Sequence, residues 1–212
     1  MRPLLFILFT TFFLLKGVSQ GDSVAFSNSF VLYEGLYLNY SDLKHNWPIP
    51  KEKINTNIDK KQLDFYTKLI ESEDVEYMER DGKPAKVNSG NVWGFCQNNV
   101  IYININRVFF RVPVFGAISY FVAAVPVNTS PGYNVFINTS GGSNATEMRE
   151  FLLDFYTGEL KEFNTDLLEN YLKKDEEILK AYSTLSKKQK KEQASRYIRK
   201  YNEKHPIYFP RN

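Results

Sequence analysis

The sequence holds one cysteine, two histidines, two tryptophans and three methionines among 212 residues. With Cys96 alone, no intramolecular disulfide forms, so folding free energy must come from a packed core. Cys96, His45 and His205 show neither paired-cysteine nor HExxH spacing, and a zinc site would have to recruit carboxylates. No glycine-rich phosphate loop ending in lysine is present, and no serine sits in a nucleophile-elbow context. These absences leave no cofactor or metal to expect. Charge of one sign is missing too: 27 Lys and Arg face 24 Asp and Glu, for a formal +3. Nothing in that balance calls for a nucleic-acid partner.

What is present begins with an export pattern. Arg2 precedes an apolar run from Leu4 to Leu15, and Gly17 and Ser19 are small residues where a signal peptidase needs them. The run is too short for a comfortable membrane span, and no later stretch is long and apolar enough for one. The expected division is a signal peptide over 1–19, cut between Ser19 and Gln20, and one mature domain over 20–212. The expected location is periplasmic or extracellular. Arg2 and Lys16 leave with the signal, so the mature chain is nearly neutral. Four N-x-[ST] sequons, at Asn39, Asn128, Asn138 and Asn144, are read as chance matches in a chain rich in Asn, Ser and Thr.

Aromatic residues make up 16% of the chain, with 17 Phe and 14 Tyr, which argues for a packed domain against disorder. Residues 30–163 read mainly as β. A strand is expected around Gly35, then one helical turn in "SDLKHN" with Ser41 as cap and Pro48 as stop. The segment "DKKQLDFYTKLIESED" fits a short helix or an irregular strand. Asp81-Gly82 and Asn98-Asn99 mark hairpin turns. The second places Gln97 opposite Val100 and Cys96 opposite Ile101. A period of two then puts Val92, Gly94, Cys96, Ile101, Ile103 and Ile105 on one face, with Trp93, Phe95 and Tyr102 on the other. "RVFFRVPVFGAISYFVAAVPV" continues as strand bent at Pro113 and Gly116. "GYNVFIN" adds a short strand, "TSGGSNAT" a loop, and "REFLLDFYTGELKEF" a third hairpin with Asp154 opposite Lys161 and Phe155 opposite Leu160. Helical spacing takes over at 165–204, with a capping box at Ser186 and Gln189 opening the last helix. Residues 205–212 read as an extended tail docked on the body, because Pro206 stops the helix and "IYF" is too apolar for a free arm. The fold class expected is α+β: an antiparallel sheet of hairpins with C-terminal helices packed on one face.

Candidate chemistry is sparse. The ring set Trp93, Phe95 and Tyr102 offers a stacking surface for a sugar or peptide, unless the C-terminal helices cover it. Lys187, Lys188, Lys190, Lys191, Arg196, Arg199 and Lys200 form a basic helix, either a solvated face or an anion-binding module. The acids of "ESEDVEYMERD" crowd one stretch, whereas hydrolytic pairs face each other across a cleft. His205 sits where an imidazole favours a helix end, and Cys96 reads as a buried, inert thiol.

Four stretches, "GLYLNYSDLKHNWPI", "VWGFCQNNVIYINI", "LLDFYTGELKEF" and "YIRKYNEKHPIYFP", together resemble a family of exported bacterial proteins of this size, known as a domain of unknown function. The resemblance implies the envelope of bacteria with two membranes. It implies no activity, cofactor or catalytic residue. The leading expectation is a non-catalytic envelope protein that binds a partner or surface component. A hydrolase using loop carboxylates and an anion-binding module through the basic helix are the alternatives.

Overall fold

The computed structural model describes residues 23–126 and 146–211. The expected signal segment and its Ser19–Gln20 cut, the "GYNVFIN" strand, the "TSGGSNAT" loop and the sequons at Asn128, Asn138 and Asn144 lie outside the described residues. In chain order the elements are β1 (Ser23–Ala25), β2 (Gly35–Tyr37), α1 (Tyr40–Lys44), β3 (Ile54–Asn55), α2 (Phe65–Leu69), β4 (Asp74–Met78), β5 (Pro84–Asn88), β6 (Gly94–Gln97), β7 (Val100–Ile105), β8 (Val108–Arg111), β9 (Ile118–Pro126), β10 (Thr146–Asp154), β11 (Leu160–Glu162), α3 (Thr165–Leu172), α4 (Glu176–Ser183), α5 (Lys187–Lys204) and β12 (Tyr208–Pro210). The class is α+β, with antiparallel strands followed by helices. The hairpins do not merge into one sheet. They form β2-β6-β7-β8, β3-β4-β5, β11-β10-β9 and the ribbon β1-β12. Pro113, which cannot donate to a ladder, ends the first sheet after Val112; Val114 forms a single bridge to Tyr120, and the next strand starts at Ile118.

The central sheet follows the expected register, with Gln97 opposite Val100 and Cys96 opposite Ile101. Asn98 and Asn99 both take positive φ, at 51° and 59°, as a two-residue hairpin turn requires. Asn106 and Arg107 repeat the device between β7 and β8, at 52° and 63°. Arg107 is an unusual residue for it. Its guanidinium donates to the carbonyls of Ile70 and Ser72 and to Ser89 Oγ, and three such bonds hold the turn.

This sheet is covered on both sides. Cys96, Ile101, Ile103 and Ile105 face the main core, shared with Phe121 and Phe151 of the long β9–β10 hairpin and with Leu168, Leu172, Tyr182 and Ile198 of the helices. Phe95 and Leu36 face a second cluster built by Ile54, Phe65, Tyr66, Leu69 and Val75. The two ends of the expected pattern are exchanged: Val92 packs in the second cluster, while Trp93 packs on Tyr37 and Tyr40 of the main one. Regular alternation starts only at Gly94. The 3-10 turn Ser89–Asn91 precedes it, and residues 92–93 lie outside the strand. Gly94 is required at that bend, since a Cβ there would sit 2.2 Å from the Tyr102 carbonyl oxygen.

Two further local expectations need correction. Helix α1 is capped by Asn39, not Ser41: the Asn39 side chain accepts from Asp42 N, and the Asp42 carboxylate accepts from Asn39 N in a reciprocal box. The third hairpin pairs Leu153 with Leu160 and Leu152 with Lys161, two residues from the expected register. The Asp154 carboxylate takes the amides of Tyr156 and Thr157, which lengthens the turn and turns Phe155 into the core. A slip of two preserves the faces, so the alternation survived although the partners did not.

At the other end, α5 starts at the Ser186/Gln189 capping box and stops at His205, whose amide donates to the Tyr201 carbonyl. Its ring nitrogen Nε2 lies 3.0 Å from Asp175, itself the cap of α4. The tail then runs as β12 against β1, with Val24 opposite Phe209. Ile207 and Phe209 are fully buried, and Phe209 stacks on Phe30 at 4.8 Å.

Phe209→Ala should cost about 3–5 kcal/mol by leaving a cavity where four rings meet. A melting curve should fall by roughly 2–4 °C per kcal/mol for a domain of this size. An unchanged melting temperature would show that the strap contributes nothing. A second expectation concerns Cys96. Burial, with Glu34 adding repulsion, pushes its thiol up to about 12. Burial also raises the hydroxyls of Tyr37 and Tyr66. An unfolded thiol ionises near pH 8.5, so above that pH the unfolded chain sheds a proton the folded chain keeps. Stability should be flat below that pH and fall as pH rises, by about 2 kcal/mol at pH 10 from the thiol alone. Urea denaturation of Cys96→Ala should show a shallower decline than wild type, and a thiol reagent should label Cys96 only after unfolding.

Candidate functional site

The ring set Trp93, Phe95 and Tyr102 does not stay together. Phe95 is buried, stacked between Tyr102 at 4.5 Å and Tyr66 of α2 at 4.4 Å, with Phe109 edge-on at 4.6 Å. Its cover comes from α2 and the β3-β4-β5 sheet rather than from the C-terminal helices. Trp93 has turned to the other side, against Tyr37 and Tyr40.

The basic residues of α5 are dispersed around the helix. Lys190 reaches Glu169 of α3 at 2.6 Å and lies over the Tyr182 ring. Arg199 donates to the Pro113 carbonyl, and Lys200 covers Tyr197. Lys188 lies 3.9 Å from Glu192, while Lys187, Lys191 and Arg196 are exposed. At 100° per residue, Lys187 and Lys191 project nearly opposite Arg196, so these charges share no single face.

The acids of residues 71–81 follow β4 and its turn. Asp74 pairs with Lys86 and Asp81 with Lys83, while Glu76 accepts from Asn55. An open groove of about 610 Å³ crosses the outer face of this sheet, with Glu52, Glu76, Lys53, Lys60 and Lys86 on its walls. Both carboxylates are exposed. Among the described residues, no three of His, Cys, Asp and Glu converge as a metal site.

A surface absent from the expected sites stands out instead. Trp47 is 48% exposed and Tyr33 49% exposed, although their loops are fixed. Asn46, buried and held at φ 50°, ties the two loops together. Its side chain accepts from Tyr33 N and Tyr37 Oη and donates to the Val31 carbonyl. The Arg80 guanidinium lies 3.4 Å above the Trp47 ring and also donates to its carbonyl. The His45 ring lies 6.1 Å from the Trp47 ring, and about half of the Trp47 surface stays open to solvent. Rigid, half-exposed aromatic side chains are what recognition surfaces use, because little entropy is lost when they bind. The signal for it lay in "HNWPIP". A tryptophan directly before proline is biased to extended or turn backbone, and His-Asn on its other side carries no strand alternation.

Lys187→Gln, Lys188→Gln and Lys191→Gln together should change stability by less than about 0.5 kcal/mol, as exposed side chains without tight partners do. Lys190→Gln should cost more, about 1 kcal/mol, because its ion pair with Glu169 is partly sheltered. Denaturation midpoints of the two variants check the difference.

No helix among the described residues is long and apolar enough to cross a membrane. No curated protein and no solved structure matches the chain. One family, described as a family of unknown function (DUF6563), matches residues 35–205, a span that runs from the first residue of β2 to the His205 cap of α5 and leaves out only β1 and the tail among the described elements. The protein belongs to that family.

Proposed function

We propose that this is an exported, non-catalytic protein of the bacterial cell envelope that binds a partner through the Tyr33–Trp47 surface. The observation that carries the reading is Trp47: half exposed, yet held by the Arg80 guanidinium and by a loop that Asn46 ties to Tyr33. A half-exposed aromatic ring already held in one position loses little entropy on binding, which supports a recognition role. Export rests on the sequence, through Arg2, the Leu4–Leu15 run and the small residues before Gln20. A non-catalytic role is supported by the carboxylates. Glu52 and Glu76 lie in the open, and Glu76 bonds Asn55, whereas acid catalysis favours carboxyl groups in sheltered sites.

A photo-crosslinking residue placed at position 47 in the native bacterium tests the proposal. One discrete adduct is expected in the envelope fraction, lost on Tyr33→Ala and absent when the crosslinker sits at exposed position 188. An equal adduct from position 188 would move the binding surface to the basic helix. No adduct from either position would end the binding reading. N-terminal sequencing of the same fraction should start within a few residues of Gln20, and an intact Met1 would end the export reading.

A further inference from the structure

A second concave site lies where the chain's two ends cross. The β1-β12 ribbon, the segment after Pro113 and the last turns of α5 enclose about 420 Å³, a volume in the range of small-ligand pockets. Phe26, Phe115, Val114 and Pro206 form apolar walls, and Arg199 and Glu203 stand at the rim. The rings Phe26 and Phe115 remain partly exposed, while their neighbours Phe155 and Phe209 are buried. They pack edge to face at 5.2 Å, so the walls do not depend on a ligand for support. The floor is equally fixed. Asn202 Oδ1 accepts from Ile118 N at 3.0 Å, and its Nδ2 donates to the Ile118 carbonyl at 2.8 Å. A Cβ on Gly116 would lie 2.5 Å from the same side chain, so only glycine lets α5 come this close.

The charges at the rim are the informative feature. Arg199 and Glu203 are one helical turn apart, a spacing at which opposite charges meet. They do not. Arg199 spends one donor on the Pro113 carbonyl at 3.3 Å, and Glu203 has no ion pair among the described residues. Arginine preceding glutamate is also the weaker order for such a pair. The pocket therefore presents a cation with free donors and an unpaired anion beside an aromatic wall.

We propose that this seam pocket binds a short zwitterionic peptide, with its carboxylate on Arg199, its ammonium on Glu203 and an apolar side chain against the wall formed by Phe26 and Phe115. A simple anion would be opposed by Glu203 and a simple cation by Arg199. A free amino acid carries both its charges on one carbon, too close to satisfy two groups that stay out of contact with each other. In a dipeptide one more Cα–Cα step of 3.8 Å separates the ends, by roughly 5–6 Å in all, so they can reach two groups that do not touch each other. Fixed walls reduce the ordering cost of binding. The site stands apart from the Tyr33–Trp47 reading, and its test does not depend on it.

Calorimetric titration of the purified chain with the dipeptide Leu-Phe, its N-acetyl form and its C-terminal amide provides the test. Leu-Phe should bind saturably, and blocking either end should weaken it roughly ten-fold, the scale of one charge-assisted hydrogen bond. In Arg199→Gln the acid and the amide should bind alike. In Glu203→Gln the free and acetylated amines should bind alike. Both side chains are exposed, so neither substitution should move the melting temperature. Binding that ignores both blocked ends would reduce the pocket to an apolar slot and overturn the assignment. So would no saturable binding at millimolar peptide, or variants that weaken all three peptides equally.

Discussion

The sheet β2-β6-β7-β8 carries large apolar side chains on both faces and has no face to present to water. Ile101, Ile103 and Ile105 alternate with Tyr102 along β7, and Cys96 alternates with Phe95 along β6. An antiparallel sheet with one wet face would alternate apolar with polar. Here the alternation is aliphatic with aromatic, and each face demands its own cover. The rest of the chain is divided by that demand. The long hairpin, α3 to α5 and the tail close the aliphatic side, and α2 with β3-β4-β5 closes the aromatic side. Rings in both covers pack edge to face or offset at 4.4–6.4 Å.

Without a disulfide, the first and last described segments are held by the same means. Phe26, Phe30, Phe155 and Phe209 converge from three separated parts of the sequence. β1 and β12 are each only three residues long, and a two-stranded ribbon of that length is not stable by itself. Its stability comes from the rings beneath it. The bond from Phe26 N to the Ile207 carbonyl links N-terminal and C-terminal segments directly. Loss of packing at Phe209 would therefore release both ends together, and with them the walls of the seam pocket.

What the sequence made legible was local and short-range. Asn98-Asn99 determined a turn, a register and two faces, because positive φ at both positions is costly for most other residues. Ser186 and Gln189 marked a helix start through their own side chains. The "IYF" run after Pro206 announced a docked tail by composition. Failures came where a distant group outweighed the local pattern. Arg107 takes a left-handed turn position because three acceptors from other segments hold it. Val92 and Trp93 exchange sides because the strand begins two residues later than the alternation suggests, at a glycine forced by the Tyr102 carbonyl. The third hairpin slipped because one carboxylate, Asp154, reorganised the turn. Trp47 was not singled out, since exposure is a property of what fails to pack against a residue, and no period encodes that.

The two surfaces argued for binding share one physical trait, which separates them from the paired charges elsewhere in the chain. Several charges on β4 and α5 find partners within the chain: Asp74 with Lys86, Glu76 with Asn55, Lys190 with Glu169. A satisfied surface charge gains little from exchanging one partner for another. Trp47 is different, because it is held by the Arg80 guanidinium and yet stays about half exposed. The Arg199 and Glu203 pair is different in the same way, since the two are near neighbours that stay apart. Free energy of binding is available where a rigid group remains incompletely partnered in the free protein. By that criterion the aromatic loop and the seam pocket are where this fold holds unspent interaction, and charges paired as Asp74–Lys86 and Lys190–Glu169 are where it has already been used for folding.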